Sequence, residues 1–242
     1  MRVRLLPFTP SRKFLAMNPI GYRILPRPAP AVAADVLAGF AAIGSAQISD
    51  CMNRLYGVSG LRPLHAGNQR TVGLALTVKT RPGDNLMIHK AISLGGAGDV
   101  IVVDGAGDTS NALVGELMMM DAQGRGIAGF VIDGAVRDLD VFAQGQFGCF
   151  ARAVSHKGPY KDGPGEINVP VSVGGQVVNP GDVVVGDADG VVVIPAEHAA
   201  AVLALAVKKE ADEAVAKEKL RAGTYTKPWL EKTLAEKTGA AK

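Results

Sequence analysis

The feature that most restricts the fold is a recurrence of short, valine-rich apolar runs fenced by glycine or proline. They are Val72 to Lys79, Val100 to Val103, Gly129 to Ile132, Val169 to Val173, Val183 to Val185 and Val191 to Ile194. Runs this short and this β-branched read as strands, because a branched Cβ packs well on a pleated surface and loses freedom in a helix. Helical periodicity fills the intervals at about Leu86 to Leu94, Ser110 to Gln123 and Val136 to Gln144. Strand and helix therefore alternate through the centre, whereas the C-terminal third reads as hairpins, the clearest being VVVGDADGVVVIP with Asp-Gly at its bend. With 5% aromatic residues and 30 glycines, the core has to be built from Val, Ala, Leu and Ile between tight turns. An α/β single domain is expected.

At 242 residues and 48% hydrophobic content the chain suits one globular unit and is not disordered in general. Residues 1–30 read as an extended N-terminal arm rich in proline (Pro19, Pro26, Pro28, Pro30), 31–223 as the domain, and 224–242 as a tail. A helix is expected from Ala31 to Phe40. In GSAQISDCMNRLYG another is expected, capped by Ser45 or Ser49 and stopped at Gly57. From Ala196 to Ala222 helical spacing continues to Gly223, a helix long enough to lean on a neighbouring subunit.

The net charge of +3 comes from 26 basic and 23 acidic residues that are well mixed, so no nucleic-acid partner is expected. The longest apolar stretch is broken by Pro195, Glu197 and His198, so no membrane span is expected. Cys51 and Cys149 lack CxxC spacing and read as a free pair in a reducing cytoplasm rather than as a disulfide. The basic start, interrupted by Pro7, Pro10, Arg12 and Lys13, lacks a signal-peptide core; initiation at Met17 is the preferred reading and an organellar address the alternative.

Most motifs reduce to turns. VVDGAGDTSNALVG fails the GxGxxG pattern at Ser110, and Asp187 and Asp189 lack the further ligands of a calcium loop. His65, His89, His156 and His198 have no zinc spacing, and Lys157 and Lys161 lie in a Gly/Pro-rich loop that disfavours a neutral, nucleophilic amine. What remains is Glu116 and the pair Arg137-Asp138, with twenty residues between them. A turn at Gly115-Glu116, a helix, the strand Gly129 to Ile132 and a second glycine turn can bring two carboxylates and a guanidinium to one rim. Such a trio suits a divalent cation and an anionic substrate. The other reading is a salt-bridged helix start in which Asp138 caps amides.

From about residue 40 to 222 the chain resembles the RraA-like family, which includes class II pyruvate aldolases acting on 4-hydroxy-4-methyl-2-oxoglutarate and 4-carboxy-4-hydroxy-2-oxoadipate. VGLALTVKTRPGDNLMIHKA, GDVIVVDGAGDTSNALVGEL, GIAGFVIDGAVRD, GPYKDGPGEINVPV and VVNPGDVVVGDADGVVVIP carry the resemblance. It implies a swivelling β/β/α barrel-like domain, assembled as a homotrimer or homohexamer with sites between subunits. By resemblance Asp138 ligates Mg²⁺ or Mn²⁺, Glu116 holds a metal-bound water, and Arg137 binds the pyruvoyl part of a 2-keto acid. The amides of Gly115, Glu116, Leu117 and Met118 receive its carboxylate, and Lys161 contacts a distal carboxylate. Asp50 and Glu213 come from an adjacent subunit, although Asp50 stands where those aldolases often have Glu. The implied activity is a metal-dependent lyase that cleaves 4-hydroxy-2-oxo diacids to pyruvate and decarboxylates oxaloacetate. The alternative is a protein-binding regulator of an RNA-processing endonuclease; a methyltransferase reading lacks its cofactor loop.

Overall fold

Successive side chains of a strand point to opposite faces, so runs that are apolar throughout need cover on both. The computed structural model describes residues 20–29, 31–66 and 70–239; Met17, Pro19 and Pro30 lie outside them. Helix α1 (Ala34–Gly39) runs into a 3-10 turn (Phe40–Ala42), and α2 (Ser45–Cys51) precedes the short strands β1 (Gly57–Val58) and β2 (Arg62–Pro63). Next come β3 (Thr71–Thr80), α3 (Leu86–Leu94), β4 (Asp99–Asp104), β5 (Ala112–Val114), α4 (Glu116–Gly124), β6 (Gly129–Val136), α5 (Leu139–Gln144) and β7 (Gly148–Val154). The chain continues through β8 (Gly165–Ile167), β9 (Val171–Val173), β10 (Gln176–Val178), β11 (Val183–Asp187), β12 (Gly190–Ile194), α6 (Ala199–Arg221) and α7 (Pro228–Thr238). This is the expected mixed α/β single domain with a long C-terminal helix.

The main sheet runs β1-β12-β11-β3-β4-β6-β7-β2, with β5 added beside β6 and β8 beside β3. Its centre, β3-β4-β6-β7, is parallel, and the β11–β12 hairpin flanks it in antiparallel register. Ile101 and Val103 of β4 pack with Ile88 and Ile92 of α3 and Met118 and Met119 of α4, while Val100 and Val102 face Val171, Val173 and Val178 of the β9–β10 hairpin. Val131 of β6 and Phe150 of β7 join that second core with Val184, Val191 and Val193. The sheet therefore curls: a Cβ on Gly186 of β11 would stand 2.5 Å from the Phe150 ring, across three intervening strands. A third core holds α2 and α6 on β11–β12 through Ile48, Val202, Val183, Val185 and Ile194. Each such buried side chain contributes roughly 1.5 to 3 kcal/mol, so these cores dominate stability.

Several expected boundaries move for physical reasons. The helix expected from Ser110 begins only at Glu116, because Ala112–Val114 pairs with β6. The helix expected from Val136 begins at Leu139, and no glycine turn follows Ile132: β6 continues through Gly134 to Val136, with Asp133 neutralised by Arg152 of β7. The segment at Val169 becomes a strand only at Val171, after Pro170, which lacks an amide to donate. The helix expected at Ala31 starts at Ala34, and that expected at Ala196 opens as a 3-10 turn before Ala199. Neither Ser45 nor Ser49 caps α2. Asp187 of the β11–β12 hairpin does so, accepting hydrogen bonds from the Ser45 amide (2.7 Å) and hydroxyl (2.6 Å), and the helix ends well before Gly57.

The arm is built into the sheet. Gly165 and Ile167 of β8 donate their amides to Gly21 and Arg23 carbonyls at 2.7 and 2.9 Å. Arg23 grips Glu166 with two hydrogen bonds, Nε to Oε1 at 2.6 Å and Nη2 to Oε2 at 2.7 Å. That guanidinium, aided by the Gly21 amide and opposed by burial, holds the Glu166 carboxyl down to about 2 from an ordinary 4.5. A depressed carboxyl stabilises the fold above its unfolded value, and the contribution is lost as pH falls through the folded one. Glu166→Gln should therefore lower stability by about 1 to 2 kcal/mol at pH 7 in urea unfolding, the gap closing between pH 4.5 and about 2. A gap independent of pH across that window would contradict this role.

Candidate active site

Two parallel strands that end side by side build the site. Ala112 and Val114 of β5 pair with Ala135 and Val136 of β6, and the Arg137 amide donates to the Val114 carbonyl at 3.0 Å. The residues just beyond each strand, Gly115-Glu116 and Arg137-Asp138, thereby become neighbours. Ligand sites of open α/β sheets form at such carboxyl ends.

Asp138 stands in the left-handed region, at φ 58° and ψ 44°, which Asp tolerates better than most residues but at a cost on the order of 1 kcal/mol. The carboxylate makes no cap on its own helix α5. Its Oδ2 instead accepts the Glu116 amide at 2.9 Å, so the amide that Asp138 caps belongs to the first turn of α4. A Cβ on Gly115 would overlap that oxygen and stand 2.9 Å from Arg137 Cγ, so a side chain there would push both groups out of place. Arg137 Nε lies 3.7 Å from Oδ2, too far for a hydrogen bond, and the two side chains are 44% and 37% exposed. Asp138 Oδ1 carries no hydrogen bond among the described residues.

Beside this rim lies a pocket of about 210 Å³. Gly115, Leu117 and Met118 form one wall, Arg137 another, and Gly158, Pro159 and Lys161 a third. Glu116 and Asp138, both half-buried, flank it rather than line it. The Leu117 and Met118 amides belong to the first helical turn and have no intrahelical acceptor, whereas the Glu116 amide is already given to Asp138. Two further residues line the pocket: buried Asn85, which the sequence did not single out, and exposed His89, which it offered only as a histidine without zinc spacing. Asn85 is 2% exposed; its Nδ2 donates to the Leu113 carbonyl at 2.9 Å, and its buried Oδ1 has no partner among the described residues. An acceptor left so costs on the order of 1–3 kcal/mol, which a ligand hydroxyl would relieve. His89, four residues on and on the same helix face, has its pKa lowered first by burial and then by the charge of Lys161, against the pull of Asp121. Only their spacing before and within α3 could have pointed to the pair.

Asp50 and Glu213 meet elsewhere on the chain. Lys209 lies 3.0 Å from Asp50 and 3.5 Å from Glu213, Arg54 reaches Asp50 at 2.8 Å, and Gln47 Nε2 donates to Glu213 at 2.8 Å. The Lys209 ammonium, with Arg54 and against some burial, lowers the Asp50 carboxyl. Glu213 lines an open groove of about 530 Å³ with Cys51, Leu205 and Tyr225; neither acid lines the Arg137 pocket. His65 is structural: its Nδ1 accepts the Cys149 amide at 3.1 Å and its ring meets Phe150 edge to face. The cysteines are free, and no helix among the described residues is long and apolar enough to cross a membrane.

The donors at the rim are hard oxygens. Asp138 with Glu116 nearby suits a cation that takes one or two carboxylates and keeps most of its waters. No group of three or more His, Cys, Asp or Glu forms a closed cage among the described residues. The strained backbone of Asp138 yields a stability test. Asp138→Asn should retain both the left-handed turn and an acceptor for Glu116, whereas Asp138→Ala should be less stable than Asp138→Asn by about 1 to 2 kcal/mol in urea unfolding. Equal stability would contradict this role for the side chain.

The comparisons agree with this architecture. The family model RraA-like, Aldolase/RraA, matches residues 45–193. A relative from Halalkalibacterium halodurans, named "Putative 4-hydroxy-4-methyl-2-oxoglutarate aldolase", is 43% identical over 180 residues, 74% of this chain and 85% of that protein. The 4-hydroxy-4-methyl-2-oxoglutarate aldolase of Thermus thermophilus is 36% identical over 129 residues, 53% of this chain and 78% of its own. A solved structure of an uncharacterized protein from Pseudomonas syringae superposes with TM-score 0.74 at 29% identity, covering 82% of this chain and 97% of that one. The RNA-processing inhibitor RraA from Thermus thermophilus superposes with TM-score 0.58 at 31% identity, covering 63% and 92%. With a family model spanning more than half its length, the chain belongs to the RraA-like family.

Proposed function

We propose that this chain is a lyase that cleaves 4-hydroxy-2-oxo diacids to pyruvate with a divalent cation, Mg²⁺ or Mn²⁺, and that it decarboxylates oxaloacetate as a second use of the same site. The observation that carries this reading is the placement of Arg137, the unpaired Leu117 and Met118 amides and the open Asp138 carboxylate around one small pocket. The names of relatives such as the Thermus thermophilus aldolase support it. A pocket of about 210 Å³ is below the size of drug-binding sites and suits a small metabolite.

Asp138 would hold the cation with Glu116 beside it, and the bound ion would draw electron density toward the keto oxygen as the C3 to C4 bond breaks. Arg137 pairs with the substrate's 1-carboxylate, which the Leu117 and Met118 amides also receive at the positive end of α4. Asn85 Oδ1 accepts from a substrate hydroxyl, and Lys161 meets the distal carboxylate. Retro-aldol cleavage removes the proton of the C4 hydroxyl; Glu116 would orient the water that moves it. Oxaloacetate needs no such base, since loss of CO₂ leaves only a carbon to be protonated. We further propose a homotrimer or homohexamer in which Asp50 and Glu213 of a neighbouring subunit complete the pocket.

A second reading, a regulator of an RNA-processing endonuclease, draws on the likeness to the Thermus thermophilus inhibitor. A binding module would keep partner capture when Asp138 is replaced; an enzyme would lose turnover.

The purified chain should release pyruvate from oxaloacetate and from 4-hydroxy-4-methyl-2-oxoglutarate with Mg²⁺ and stop on chelation. Arg137→Ala should lose roughly 1.5 to 3 kcal/mol of anchoring, about 10- to 160-fold in kcat/KM. Normal activity in that variant would place the site elsewhere. Asp138→Asn and Glu213→Gln, each inactive alone, should recover activity when mixed subunits assemble; no recovery would argue against a shared site.

A further inference from the structure

Lys161 is an exposed residue on a loop, and its ammonium has no hydrogen-bond or ion-pair partner among the described residues to hold it at the pocket. The loop is held instead by a carboxylate at the far side. Asp84, fully buried just before α3, accepts the Leu86 amide at 2.9 Å through Oδ1. Through Oδ2 it accepts the amides of Asp162 (2.8 Å) and Gly163 (2.9 Å), immediately after Lys161. Arg81 Nη2 reaches the same oxygen at 3.1 Å, and its guanidinium carbon lies 5.9 Å from the centre of the Tyr160 ring, just before Lys161. The backbones are zipped as well: Tyr160 donates to the Gly83 carbonyl at 2.8 Å and Asn85 donates to Tyr160 at 3.0 Å. Burial alone would raise the Asp84 carboxyl, but the three amides and Arg81 outweigh it and hold it below its ordinary value.

The geometry points to Arg81 and Asp84 as positioning residues that fix the Lys161 loop against α3 and so set recognition of the substrate's distal carboxylate. Neither lines the pocket; both act through Lys161, and the inference rests on the lyase reading above. The pyruvoyl end is served by Arg137 and α4, to which Asp84 makes no hydrogen bond among the described residues, so the two ends of a diacid should respond separately to its loss.

The test uses the full-length chain with Mg²⁺, 4-hydroxy-4-methyl-2-oxoglutarate as substrate and oxalate as a competitive probe of the pyruvoyl end alone. Asp84→Asn should raise KM for the diacid about tenfold, with kcat within about threefold and the oxalate Ki within about twofold. Lys161→Ala should cost less than about twofold in the Asp84→Asn background, because the lysine is already displaced. An unchanged KM, an oxalate Ki that rises in step with KM, or an additive Lys161→Ala effect would each overturn the proposal. Should Asp84→Asn fail to fold, Arg81→Met decides: a two- to threefold rise in KM at constant oxalate Ki supports the clamp, and no rise refutes it. If the wild-type chain releases no pyruvate, the lyase reading fails first. Amide exchange then tests the clamp alone: at least about tenfold faster exchange confined to Tyr160–Gly163 in Arg81→Met supports it, and unchanged exchange refutes it.

Discussion

The pairing of β5 with β6 is the constraint on which the site depends. Three residues of β5 lie parallel to the last residues of β6, and the Arg137 amide closes the ladder on Val114. Chain direction then does the rest, because parallel strands that end together deliver their following residues to one edge. Gly115 leaves room there for the Asp138 carboxylate, which reaches back to the first amide of α4. The polar contacts at the rim are individually worth about 1 kcal/mol; the buried cores around α3, α4 and the sheet hold them in register.

The site divides into parts with different mechanical support. Arg137, Asp138 and the first turn of α4 stand on strand and helix ends, whereas Lys161 stands on a loop held by Asp84 and by Asn111, whose Nδ2 donates to the Gly158 carbonyl at 2.6 Å. Strand and helix ends hold the first group through the sheet itself, whereas the loop depends on these few polar ties. The Asp50, Lys209 and Glu213 group lies apart, on α2 and α6, and lines no part of the Arg137 pocket of its own chain.

Much of this was legible from residue order. The valine-rich strands, helix α3 and the Asp-Gly hairpin stood out because their periodicity is uninterrupted and their ends carry turn residues. What escaped was short or disguised. Strand β5 has three residues and reads as the start of a helix, since pairing to β6, not local propensity, makes it a strand. The end of β6 looked like a turn because Asp133 and Gly134 interrupt an apolar run; an ion pair with half-buried Arg152 keeps the acid in the sheet. Glu116, Arg137 and Asp138 stand out by their twenty-residue spacing, which alone equally allows a plain helix cap; the family motifs tip the reading toward a site. Asn85 and His89 escaped because their part in the pocket arises from the packing of α3 against α4, which no local pattern announces.

The most direct measurement is a crystal structure of the chain with Mn²⁺ and oxalate, read by anomalous scattering. The account predicts the ion on the Asp138 carboxylate and oxalate between it, the Arg137 guanidinium and the Leu117 and Met118 amides. An ion bound away from Asp138, or oxalate seated without Arg137, would contradict it.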